Sequence, residues 1–268
     1  MGWNMETEKL QETVRIVYHP SFVTNYSTAS CECPDRVQSI MASLKYRFPV
    51  VQPEPCSDED LLLCHSEGIL ISEKLNTHRF EIAKYAAGGA IKAAELALEG
   101  YFSFGVIRPP GHHANPDHNW GFCFFNNMGV AISKMIQEQK IKKAVIFDID
   151  LHFGDGTDSI FKGNSDVKVL NIQSSNPGDF IAEAQDALAG IGDVDIIGVS
   201  AGFDQYEKDW GANLSTEDYR EIGHIAGKFA KEHAKNKIFA ILEGGYYIPD
   251  LGNNALAFIQ GAGNARIA

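Results

Sequence analysis

Six short runs of branched and apolar residues punctuate this chain: Arg15–Tyr18, Phe104–Ile107, Ala144–Asp148, Val167–Ile172, Asp195–Ser200 and Ile238–Leu242. Most are bounded by Gly, Asp or Pro, and they read as near-continuous apolar strands rather than alternating ones. Strands of that kind bury both faces. Between them lie helical patterns at Arg36–Tyr46, Arg79–Leu98, Asn126–Glu138, Thr216–His233 and Asn254–Gln260. Ser215 ahead of Thr216, with Glu217 and Asp218 in the first turn, is a helix start. Strand–helix alternation predicts an α/β fold, a central and mostly parallel sheet flanked by helices on both faces. No linker or tandem repeat divides the 268 residues, which suit one domain of this class. Residues 1–13, polar and mixed in charge, are expected to form a disordered leader, and 14–268 a single catalytic domain.

Composition removes several function classes. There is no run of ~18 apolar residues, so no membrane span is expected. The start of the chain lacks the basic and apolar parts of a signal peptide. With 23 Lys and Arg against 35 Asp and Glu, the net charge is −12, which argues against direct nucleic-acid binding. Five cysteines, an odd number, read as reduced thiols in the cytoplasm. Cys31, Cys33, Cys56 and Cys64 lack the usual spacing of a zinc knuckle, and loop or buried thiols are the default. Cys123 is expected to pack near a pocket.

The residues able to do chemistry are concentrated. His112 and His113 follow the second strand; Asp148, Asp150, His152 and Asp155 end and follow the third; Asp204 follows the fifth; Gly244, Gly245 and Tyr246 follow the sixth. The C-terminal ends of parallel strands share one edge, where ligands bind in open α/β sheets. One active site at that edge is the economical reading.

Asp150 and His152 lie two apart, a spacing that points both side chains the same way in an extended segment. A carboxylate and an imidazole so placed suit Zn²⁺, with Fe²⁺ or Mn²⁺ as alternatives. Alone the pair is a weak signal. Asp204, in the small-residue turn Ser200–Asp204, supplies a third ligand. Three protein ligands leave room for water and a substrate carbonyl, as at catalytic rather than structural sites. His112 and His113 sit in the stiff loop Arg108–Ala114 and can divide the tasks of general acid and base. Asp148 and Asp155 are the carboxylates left over to orient them. The Tyr246 phenol can donate to an oxyanion as a carbonyl becomes tetrahedral.

Taken in order, the strings RPPGHHA (108–114), GFCFFNN (121–127), DIDLHFGDGT (148–157), SAGFD (200–204) and LEGGY (242–246) resemble the histone deacetylase family. That family includes acetylpolyamine amidohydrolases and acetoin-utilisation proteins. The resemblance implies an arginase-like α/β fold and metal-dependent hydrolysis of an acyl-amide, either acyl-lysine or another acylated amine. It implies Asp150, His152 and Asp204 as metal ligands and His112 and His113 as the acid/base pair. Asp148 and Asp155 would be their partners, and Tyr246 would polarise the carbonyl. It further implies Phe122 as a tunnel wall, with Gly121 and Gly244 at the substrate, and a structural K⁺ near Asp148 and Asp150. Glu243 ahead of the glycines is similar to the class II form.

The chain also departs from the family pattern. Phe153 stands where a second His is frequent, at a position that holds no metal. The connection Gln173–Asp193 is short and is expected to lack channel-building residues. Asp209-Trp210-Gly211 replaces a usual Asp-Pro-Leu-Gly, again on the channel wall. Two rival readings exist. A binuclear ureohydrolase would need a carboxylate two residues beyond His152, where Gly154 stands instead. A non-catalytic acyl-lysine or small-ligand module would have lost a ligand, the His pair or the Tyr, and none is lost.

Overall fold

The computed structural model describes the backbone of residues 2–267, with side chains from Glu8 onward. Seven strands form one sheet: β1 Val14–Val17, β2 Val50–Val51, β3 Phe102–Gly105, β4 Ala144–Asp148, β5 Val167–Asn171, β6 Ile196–Ala201 and β7 Ile238–Leu242. Their order is β2-β1-β3-β7-β6-β4-β5, and every pairing is parallel. All residues of β3, β4, β6 and β7 are buried, as continuous apolar runs require. The sequence analysis did not find β2, a two-residue edge strand too short to carry a pattern.

Among the described residues, ten α-helices connect and cover the sheet: α1 Gly2–Thr13, α2 Pro34–Leu44, α3 Asp58–Leu61, α4 Glu67–Lys74, α5 Thr77–Leu98, α6 Asn127–Gln137, α7 Asp155–Phe161, α8 Pro177–Ala189, α9 Thr216–His233 and α10 Ile248–Ile267. α5 packs on β1, β3 and β7 and alongside α6, while α2, α9 and α10 form a second group. α9 has the expected bounds because Ser215 and Asp218 close a reciprocal capping box. α10 is far longer than the expected Asn254–Gln260.

The segment expected to be a disordered leader is helical over Gly2–Thr13. Its Leu10 is buried in the core, and the Lys9 ammonium donates to the Ile267 carbonyl at the end of α10. Burial of one apolar side chain is the physical reason this segment is ordered where its polar composition suggested otherwise. The short connection after β5 holds α8 and little else. No helix among the described residues is long and apolar enough to cross a membrane.

Candidate active site

β3, β7, β6 and β4 are neighbours in the sheet. These are the four strands whose ends carry the polar motifs, so sheet order alone brings the motifs to one edge. They surround a cavity of about 140 Å³ lined by Pro110, His112, His113, Trp120, Gly121, Phe122, Asp150, His152, Trp210, Gly244 and Tyr246.

Asp150 and His152 from this lining, with the fully buried Asp204, each offer one ligand atom, all within 4.8 Å of one another. His152 Nδ1 lies 3.2 Å from Asp150 Oδ1 and 3.1 Å from Asp204 Oδ2. Backbone amides aim both carboxylates: Gly244 donates to Asp150 Oδ2 at 2.8 Å and Leu151 to Asp204 Oδ1 at 3.0 Å. Asp204 Oδ2 is buried and accepts no hydrogen bond. An orphaned carboxylate oxygen at this depth is costly unless a cation faces it. Glycine permits the crowding: a Cβ on Gly244 would stand 2.6 Å from Asp150 Oδ2 and 2.7 Å from Asp204 Oδ2. The donor set, the orphaned oxygen and the glycine cradle fit a divalent ion. Among the described residues this is the one such cluster, and the cysteines form no second one. Burial pushes the Cys56 and Cys64 thiols up to about 12, which leaves them poor ligands.

His112 and His113 are both buried, and each ring faces a carboxylate. His112 Nδ1 is 3.0 Å from Asp148 Oδ2, and His113 Nδ1 is 2.7 Å from Asp155 Oδ1. The two rings then diverge in charge. Burial works against the His112 cation, but Asp150 and Asp148 outweigh it and hold its pKa well above the usual value. Burial and the neighbouring His112 push His113 down to about 4, so it is neutral at pH 7. The neighbouring carboxylates of Asp150, which accepts from the ring, and Asp204 lift His152 to about 10. Burial beside Asp150 raises Asp204 to about 7.

Three residues that the sequence analysis did not single out complete the surroundings. Trp120 stacks on His113 at 3.9 Å between ring centroids, and its indole N–H donates to Asp155 Oδ2 at 3.0 Å. Asn115 donates to the same oxygen at 2.7 Å. Arg36, fully buried, donates to the carbonyls of Gly245 and Glu243 and lies over the Tyr246 ring. Trp120 stands beside a motif and could have been suspected. Arg36 lies more than 200 residues from its partners and gives no local signal. Glu243, noted only as a class marker, accepts from the Gly111 and His112 amides at 2.7 and 3.1 Å and so fixes the His loop.

Phe122 enters the cavity with φ +67°, after Gly121 at +59°. Gly121 is required there because a Cβ would strike the His113 ring. Phe122 meets the Tyr246 ring edge-on at 6.1 Å. Trp210 stacks on the same ring at 4.1 Å, so an indole forms this part of the cavity wall. Phe153, the departure from the family's second His, is exposed and absent from the cavity lining. Asp155 accepts from His113, Asn115 and Trp120, bonds that turn it to the His113 ring and away from the cluster of Asp150, His152 and Asp204.

Residues 72–181 and 192–262 match the histone deacetylase domain. The chain belongs to the histone deacetylase family. A probable deacetylase of Methanothermobacter thermautotrophicus is 30% identical over 301 residues, covering 92% of this chain and 89% of the relative. Histone deacetylase 18 of Arabidopsis thaliana is 29% identical over 94% of this chain, which spans only 48% of that protein's length. The crystal structure of an acetylpolyamine aminohydrolase from Burkholderia pseudomallei superposes with a TM-score of 0.83 at 20% identity, covering 94% of this chain and 99% of that one. That likeness concerns the deacetylase fold.

Proposed function

We propose that the protein is a metal-dependent deacylase that hydrolyses an acyl-amide, acetyl-lysine or a small acylated amine. The observation that carries the reading is the convergence, on one cavity, of the Asp150–His152–Asp204 cluster, the His pair and Tyr246. Asp150, His152 and Asp204 would hold the ion, Zn²⁺ by donor type, with Fe²⁺ or Mn²⁺ as alternatives. A divalent ion there supplies Lewis acidity, which acidifies water and polarises a carbonyl.

The chain's own groups do the rest. His113, neutral and held by Asp155, takes a proton from the attacking water on Nε2. Asp148 keeps His112 charged beside it, where the imidazolium offsets the negative charge that develops. The Tyr246 phenol donates to the carbonyl oxygen as it gains charge; burial holds its own proton firmly, since its pKa is raised. His113 then returns the proton to the departing amine, and a carboxylate and a free amine leave. Phe122 and Gly121 line the approach of the acyl group. The family-implied K⁺ beside Asp148 and Asp150 would belong to the structural support of the site rather than to the reaction.

The test is metal analysis combined with acetate release from acyl-lysine peptides, acetylated polyamines and simple acetylated amines. One divalent ion per chain, turnover of at least one substrate, and loss of both in Asp204→Ala are expected. Two stoichiometric transition metals, or full activity after exhaustive chelation, would overturn the assignment.

A further inference from the structure

Tyr246 follows Gly244 and Gly245, both buried, and Gly245 has φ +117°, a conformation glycine adopts without strain. Arg36 holds the Glu243 and Gly245 carbonyls ahead of it, and the loop after β6 holds Tyr246 itself. One oxygen of Asp209, Oδ2, accepts both the Tyr246 and the Tyr247 amide, at 2.6 and 2.7 Å. The next residue, Trp210, lays its indole on the Tyr246 ring, 4.1 Å between centroids and 19° between planes. The Arg36 guanidinium carbon stands 4.7 Å from the same ring centroid. A stacked indole fills one face of the phenol, so the buried guanidinium takes the other.

The loop that carries Asp209 and Trp210 is itself firmly mounted. Glu207 donates to the Leu214 carbonyl at 2.7 Å, Leu214 to Gln205 at 2.8 Å, and Gly211 to Asp204 at 2.8 Å. The Asn213 side chain ties it to the Ser174 carbonyl after β5. The Tyr206 hydroxyl and the Lys208 ammonium tie it to Asp250 in α10. Trp210 is nevertheless about half exposed, at 52%. A half-exposed indole is not needed to fill the core. Its buried part is spent on Tyr246, with an edge-on contact to His152 at 6.0 Å.

We infer that Asp209 and Trp210 form a clamp that holds Tyr246 in its working position, Asp209 by the backbone and Trp210 by the ring. Trp210 is thus a positioning residue as well as a wall of the cavity. The inference rests on the reading of Tyr246 as the carbonyl-polarising phenol. It accounts for the replacement of a Pro-Leu pair by a bulky aromatic residue in a chain whose β5–β6 connection, Gln173–Asp193, is short.

The experiment compares wild type with Trp210→Ala, Trp210→Phe, Asp209→Ala and Trp120→Ala, each holoenzyme. Amide hydrogen exchange is followed residue by residue, alongside kcat and KM for an acylated amine. Trp210→Ala and Asp209→Ala should speed exchange at Tyr246 and Tyr247 by about tenfold or more, with the amides of β4, β6 and β7 unchanged. Trp210→Phe, which can still stack, should restore most of the protection. Trp120→Ala, which removes the other rim indole without touching Tyr246, should leave these two amides as they were. In Trp210→Ala, kcat should fall about tenfold while KM changes little. Unaltered exchange in Trp210→Ala would overturn the clamp and leave Trp210 a wall only. So would faster exchange with unchanged kcat, or no rescue by Phe. If wild type turns over no acyl-amide, the proposed function falls, while the exchange measurements still decide whether the clamp exists.

Discussion

Asp155 and Asp204 are both carboxylates at strand ends, yet their surroundings assign them different work. Asp155 accepts from His113, Asn115 and Trp120, and burial opposed by these bonds leaves its pKa below the ordinary range. Asp204 keeps one buried oxygen without a donor, beside His152. In the proposed reaction the first would orient a base and the second would hold the ion. At the same scale Tyr246 is expected to act only as charge develops on the substrate. Tyr246→Phe should keep the fold and the metal and lower kcat by ~10²–10³-fold, the usual loss of one oxyanion donor. Steady-state kinetics together with metal content checks this, and normal turnover would remove Tyr246 from the mechanism. Asp150 and His152 stood out in sequence because their spacing is local, although the chain bends at 150–152 instead of running extended and Asp204 comes from another strand. The Trp120–Asp155 bond was not, since it joins residues 35 apart through a loop whose path no pattern encodes.

At the scale of elements, α10 is instructive. Its glycines lower helix propensity, and the sequence pattern supported only Asn254–Gln260. The structure uses those glycines for close approach. A Cβ on Gly252 would strike the Ser39 backbone in α2, one on Gly261 the Arg220 backbone in α9, and one on Gly263 Leu10 of α1. α9 answers with Gly223 and Gly227, whose Cβ positions fall against the backbone of Phe258 and Ala262. Gly227→Ala would gain up to about 1 kcal/mol of helix propensity. It would also force a methyl group against the α10 backbone, and overpacking of that kind costs ~1–3 kcal/mol. A net loss of stability is expected, read as a lower urea midpoint at unchanged m-value. A variant as stable as wild type would mean that the two helices separate freely.

For the whole molecule, acid stability should depend on a group outside the catalytic set. His65 joins the loop before α4 to the site: its Nδ1 donates to the Asn115 carbonyl at 2.9 Å, and its Nε2 accepts from the Asn126 amide at 2.9 Å. A second ring proton would have to displace the Asn126 bond. Burial accordingly pushes the ring down to about 4 from 6.5. The unfolded chain then binds a proton between pH 6.5 and 4 that the folded chain does not. Stability therefore falls as pH drops through that window, by about 3 kcal/mol at most from this one group. His65→Gln, which can still accept from Asn126, should unfold less steeply with acid over the same range. An unchanged pH slope in denaturant titrations would assign the acid sensitivity elsewhere.

Local chemistry and short-range periodicity determined much of this protein from sequence alone. Continuous apolar runs specified buried parallel strands; Ser215 with its acidic first turn specified the start of α9; a spacing of two marked Asp150 and His152 as candidate ligands. Each depends on atoms close together along the chain. Tertiary structure decided what depends on distant segments meeting. It decided that β3, β7, β6 and β4 are adjacent and so merge four motifs into one cavity. It decided that Leu10 gains a core contact that orders α1. It also decided that Trp210, 36 residues ahead of Tyr246, lies on the face of its ring. Such contacts exist only after the chain has closed the loops between them, and no local pattern records which loops those are.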